Sequence, residues 1–217
     1  MFIESSPVTT WRGEIKRPQV HPTAYIHHTA VLIGDVRIGK NVTICPGVVI
    51  RADEGSPIII NDGSNIQDRV VMHCLQNSSI EIGVNCSIAH GSVIHGPCVI
   101  GRETFVGFNA VIHHAWVGNS CYISHCALVT NVSLADNTMV PSGKMLESQD
   151  EVINLPAVTE DQKEFNSRVA SANEELRRGY KNIHHLEIHC HDTHHEHKAR
   201  SKRMWEGSDE KEIVTAG

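Results

Sequence analysis

Hydrophobic positions along the chain recur with a period of six. Aliphatic side chains stand at Ile26, Leu32, Ile38, Ile44 and Ile50, then at Ile60, Ile66 and Met72, then at Ile82, Ile88, Ile94, Ile100, Val106 and Ile112. Steps of five or six carry the series through Val117, Ile123, Val129, Leu134 and Val140. Four residues after most of these comes a small or β-branched side chain, as at Ala30, Val36, Val48, Ser64, Val70, Cys86, Ser92, Cys98, Ala110 and Cys121. Neither the helical period of 3.6 nor the strand period of 2 accounts for this spacing. A period of six means strands of a few residues separated by tight turns, three to a coil of about 18 residues, with stacked coils burying the aliphatics. The sequence therefore predicts a mainly β chain, a parallel β-helix over residues 20–146, preceded by an N-terminal arm at 1–19. Two intervals of ten residues, Ile50 to Ile60 and Met72 to Ile82, mark insertions of four residues each.

The repeat stops near Pro141. A linker and a C-terminal helix follow within 147–181. Thr159 with Gln162 three places on is a capping-box pattern, and Phe165, Val169, Ala172 and Leu176 follow at helical spacing. A single amphipathic stripe needs a surface to cover it, so the helix is expected on a flank of the β-helix, with Gly179 as its stop. Residues 182–217, rich in histidine and charge, read as a mobile tail.

Composition adds two points. Aromatics make up 5% of the chain, which fits narrow coils filled by Ile, Val and small residues, while histidine reaches 16 of 217. A net charge of −6 without a basic stripe argues against nucleic acid as a partner, and no apolar run approaches the roughly 20 residues that span a bilayer. Seven cysteines without a secretory leader pattern suggest reduced thiols and a cytoplasmic location.

The chemistry is expected from three histidines. His73 follows Met72 by one and His95 follows Ile94 by one, one full coil later, so the two should stack at one corner about 4.8 Å apart. At that separation two imidazoles can share one ion with Zn–N distances near 2.0 Å. Arg51, one place after Ile50, and His113, one place after Ile112, fall in the same column. His90 lies on the preceding face and reaches such an ion only from a neighbouring subunit of a three-fold assembly. The alternative is that all three are surface histidines at turns.

RADEG, SNIQD, VVMHCL, SIAHGSVIHGPCVIG, the PSG at residue 141 and NEELRRGY together resemble the gamma class of carbonic anhydrases, over residues 20–181. The resemblance extends to the amino-terminal domain of the carboxysome scaffold and to related bacterial hexapeptide proteins. It implies a left-handed β-helix, a homotrimer, and reversible hydration of CO2 to bicarbonate by a metal-bound hydroxide. His73, His95 and a neighbour's His90 would be the ligands of Zn2+, with Fe2+ or Co2+ as alternatives. Glu54 would accept a proton, Gln67 would orient the hydroxide and Asn173 would help hold CO2 or bicarbonate. Arg51, Asp53 and Asp68 would form ion pairs between subunits. A larger assembly and a carboxysomal or other compartment are also compatible.

One departure is clear: the loop after His73, CLQNSSIE, has no acid before Glu81. The acidic external proton shuttle of the best-studied members is therefore missing, and His113 is a candidate relay in its place. The histidine-rich tail is a candidate for binding transition metals, and Cys86, Cys98 and Cys121 are read as small core residues. Two other functions share the repeat: a CoA-dependent acyltransferase, which needs one general-base histidine and a pantetheine groove, and a non-catalytic scaffold subunit.

Overall fold

The structure is a computed structural model that describes residues 2–201. Its strands form a triangular prism with one short strand per face in each coil. The third face is a parallel sheet of seven two-residue strands, from Tyr25–Ile26 through Asn65–Ile66 and Ser87–Ile88 to Met139–Val140. The first and second faces merge into one 13-stranded sheet, because strands Val93–Ile100 and Val111–Val117 bend across the edge between them.

The six-residue period maps directly onto burial. Every aliphatic from Leu32 to Val140 in the series is buried, and the partly buried Ile26 packs against the same core at its first coil. The slot four residues later is filled by Ala30, Val48, Ser64, Cys86, Ser92, Cys98, Ala110 and Cys121, each 2% exposed or less. Small or β-branched groups occupy the place where the chain turns a corner. Burial pushes the thiols of Cys74 and Cys86 up to about 12, so they are protonated at neutral pH and pack as small apolar groups.

The two insertions bulge outward, and the Asp53–Ser56 loop of one meets the Leu75–Ser78 turn of the other. Their junction requires Gly55, where any Cβ would collide with the carbonyl oxygen of Leu75. The N-terminal segment contributes to the prism: Phe2–Glu4 pairs in parallel with Val31–Gly34 and extends the first face.

The helix α1 (Glu160–Ser201) starts as expected. Thr159 N donates to Gln162 Oε1 (2.9 Å) and Gln162 N to Thr159 Oγ1 (3.3 Å). Its first turns lie along the edge between the second and third faces. Phe165 meets Phe105 edge-on, Asn166 Nδ2 donates to Glu103 O (3.0 Å) and Arg177 Nη1 donates to Thr23 O (2.7 Å). Contrary to expectation, α1 does not stop at Gly179 but continues to Ser201. A helical glycine costs only about 1 kcal/mol relative to alanine, and strong helix formers flank this one. The compact unit built on the prism ends at Arg177, and residues from Arg178 on form a second unit. The rest of the expected tail, residues 202–217, and the side chains of its histidines lie outside the described residues.

Since the core is one row of aliphatics deep, each position matters. Replacing Ile66, fully buried, by alanine should destabilise the protein by about 2–5 kcal/mol. The outward-facing Val99→Ala should stay within about 0.5 kcal/mol. Chemical-denaturation midpoints of the two variants check the contrast.

Candidate metal centre

Register assembles the first group of residues. The strands carrying them pair in parallel so that Arg51 stands beside His73, His73 beside His95 and His95 beside His113. The column continues to Thr130, whose Oγ1 lies 3.0 Å from His113 Nδ1. The coil-by-coil alignment read from the spacing is therefore present in the structure, all on the edge between the first and second faces.

Within this column His73 and His95 are the closest functional pair. His73 Nδ1 lies 3.4 Å from His95 Nε2, with ring centroids 5.4 Å apart. Two nitrogens bound at about 2.0–2.1 Å to one tetrahedral ion lie about 3.3–3.4 Å apart, so this spacing suits a shared ligand pair. The remaining ring nitrogens, His73 Nε2 and His95 Nδ1, are buried without a hydrogen-bond partner, as is Asp53 Oδ1. Buried polar atoms of this kind are costly unless a further group satisfies them. Asp53 Oδ1 is 3.4 Å and Glu54 Oε2 3.8 Å from His73 Nε2, which places negative charge where a divalent cation would be favoured. The chemistry of this donor set thus fits a metal ion. Arg51 Nε approaches Asp53 Oδ2 at 3.8 Å within the same chain. Burial, reinforced by His95 and His114, lowers the pKa of His113.

A second group occupies a different edge, between the third and first faces. His90 follows Ser87–Ile88 there, half exposed, with Nδ1 2.8 Å from Asp68 Oδ2 and its ring against Phe108 at 5.3 Å. The carboxylate holds Nδ1, the arrangement that orients metal-binding histidines. Gln67 sits one coil earlier on the same edge. It is buried, and its Nε2 donates to Asn65 Oδ1 (2.9 Å), while Asn65 Nδ2 donates to Ser87 Oγ (3.0 Å).

Asn173 stands apart from both groups, on α1 along the third edge, with Nδ2 donating to Val169 O (2.9 Å). Within one chain, then, the structure brings together Arg51, Asp53, Glu54, His73, His95 and His113, and separately Gln67, Asp68 and His90. Among the described residues, no three His, Cys, Asp or Glu side chains form a complete metal-binding cluster in the single chain.

Two supporting residues escaped the sequence reading. Arg12, in the N-terminal segment, bonds the backbone of the loop that carries Asp53 and Glu54. Nothing in the repeat points to it, because it lies outside the repeat and some 40 residues away. Asn65 had a detectable signal: it is a buried amide in a column otherwise held by residues such as Tyr25, Thr43, Ser87 and Phe105.

Comparison with known proteins agrees with this picture. The model of the family "Bacterial transferase hexapeptide (six repeats)" matches residues 17–52. A carbonic anhydrase of Methanosarcina thermophila is 38% identical over 200 residues, covering 82% of this chain and 81% of that protein. The carboxysome assembly protein CcmM of a Nostoc species is 37% identical over 81% of this chain, which spans only 34% of that longer protein. A Bacillus cereus protein shares the fold, with a TM-score of 0.70 and 23% identity over 77% of this chain and 94% of its own. No helix among the described residues is long and apolar enough to cross a membrane. With identity sustained over four fifths of both chains and a stacked His73–His95 pair on a hexapeptide-repeat prism, the chain belongs to the gamma-class carbonic anhydrase family.

Proposed function

We propose that the protein hydrates CO2 reversibly to bicarbonate as a homotrimer. Each metal would be held by His73 and His95 of one subunit and by His90 of the next. The observation that carries this reading is the stacked imidazole pair with nitrogens 3.4 Å apart and the carboxylates of Asp53 and Glu54 close by. Two ligands on one edge and a carboxylate-oriented third on another are what a cyclic assembly would join. A bound divalent ion such as Zn2+, Fe2+ or Co2+ would supply Lewis acidity that brings water to hydroxide near neutral pH.

The chain's own residues would then manage protons and geometry. Glu54 has one carboxylate oxygen near His73 and the other accepting from Gln76 N (3.2 Å), a placement that supports it as the proposed acceptor of the departing proton. Gln67 would orient the attacking oxygen from the neighbour's side of the site, its own amide steered by Asn65. Asn173 is the proposed contact to CO2 or bicarbonate. Arg51, Asp53 and Asp68 would face one another across the interface. His113, bonded to Thr130, is the proposed relay outward in the absence of an acid in the loop after His73. Cytoplasmic localisation, and a larger assembly of the kind the carboxysome relative suggests, belong to the same proposal.

A CoA-dependent acyltransferase has no use for paired imidazoles with spare nitrogens, and a scaffold subunit would bind metal without turnover. Elemental analysis of anaerobically purified protein together with stopped-flow CO2 hydration separates the three. Metal and hydration are expected together, and metal without hydration would sink the enzymatic reading.

The shared site itself is tested by mixing. His73→Ala and His90→Ala should each lose metal and activity. Co-assembled one to one, they should regain about a quarter of the sites, since one interface arrangement in four keeps all three ligands. No recovery in mixed trimers would overturn the inter-subunit site.

Asp68→Asn should weaken metal affinity about 10- to 100-fold, measured by chelator competition. His113→Ala should lower hydration at low buffer concentration, with recovery as imidazole buffer is added. An unchanged buffer dependence would remove His113 from the relay.

A further inference from the structure

The loop that carries Glu54 is held from outside the repeat. Its anchor begins in the N-terminal segment, where Thr9 N donates to Arg12 O (3.0 Å) and Arg12 N to Thr9 O (3.3 Å), closing a tight hairpin. The base of that hairpin is tied by Ser6 N to Lys16 O (2.8 Å) and by Lys16 N to Ser6 Oγ (3.0 Å). The preceding strand, Phe2–Glu4, is anchored on the prism. Arg12 is thus presented from a braced support.

Its guanidinium reaches three acceptors on the loop. Nη1 donates to Ala52 O (3.0 Å), and Nη2 donates to Ser56 Oγ (2.8 Å) and Glu54 O (3.3 Å). All three acceptors are neutral, so the contact works by geometry rather than as an ion pair. Only a planar fork of several donors spans them together.

From the opposite side the loop is gripped by the Leu75–Ser78 turn. Gly55 N donates to Cys74 O (3.0 Å), and Glu54 Oε1 accepts from Gln76 N (3.2 Å). Arg12 closes the clamp. Without it the loop would be free to lift, taking the Glu54 carboxylate from its place near His73. A shift of about 1 Å in a proton acceptor is enough to lower turnover many-fold.

We propose that Arg12 is a positioning residue for Glu54, acting through the backbone of the Asp53–Ser56 loop. The inference rests on the reading of Glu54 as proton acceptor, and its test is built to fail separately. In full-length, metal-loaded protein, Arg12→Ala should speed amide hydrogen exchange about tenfold in residues 52–57 and 74–78. Exchange across 88–95 and the metal content should stay at wild-type values.

In the same variant kcat for CO2 hydration should fall about tenfold with KM little changed. Added guanidinium should restore part of both signals, and Arg12→Lys should restore less than the native residue. Lys16→Ala, on the same arm, should match wild type throughout. Unchanged exchange at 52–57, or a loss of activity that only tracks lost metal, would overturn the proposal. If the wild-type protein hydrates no CO2, the reading of the site fails. The exchange data alone then uphold or overturn Arg12 as the residue that holds this loop.

Discussion

Parallel stacking of one coil on the next, in strict register, is the constraint from which the rest of the molecule follows. Each coil presents its backbone groups to the coil above and below, so strands of only two residues, too short to be stable alone, are held by two neighbours. The same register that satisfies these hydrogen bonds places equivalent positions in columns. A column pointing inward becomes the aliphatic core. A column on an edge becomes a row of side chains about 4.8 Å apart, and when two adjacent members are His73 and His95, a pair of nitrogens with metal-ligand spacing results.

The fold was legible because its signal is periodic. Nineteen aliphatic positions repeat one instruction, so an error at any one of them, such as the partly exposed Ile26, does not change the reading. The stacking of His73 on His95 was legible for the same reason: both are one residue past a core position, and the ten-residue interval between Met72 and Ile82 could be discounted as a loop. The helix start was equally readable from Thr159 and Gln162, whose reciprocal bonds are local chemistry.

What escaped was either non-periodic or weak. The contacts of Arg12 depend on where a hairpin outside the repeat comes to rest, and no spacing rule encodes that. The placement of Gly179 inside α1 shows a single stop signal outweighed by its neighbours, because the penalty is about 1 kcal/mol and the flanking residues favour helix. The pairing of His90 with Asp68 was half readable. Both residues follow a third-face core position by two, Ile66 and Ile88, so their adjacency is written in the register, whereas the direction of the carboxylate is not.

The Asp68–His90 pair has one more implication. It is formed within a single chain, as is the His73–His95 pair on the other edge. Each protomer of the proposed trimer would therefore bring two half-sites already shaped, and association would freeze few additional side-chain rotors. Among the described residues a lone protomer would hold only part of that site, two imidazoles on one edge and one on another. Metal capture at the shared site and oligomerisation would then be a single thermodynamic event, with occupancy of that site reporting on quaternary state and free-ion concentration setting the stability of the assembly.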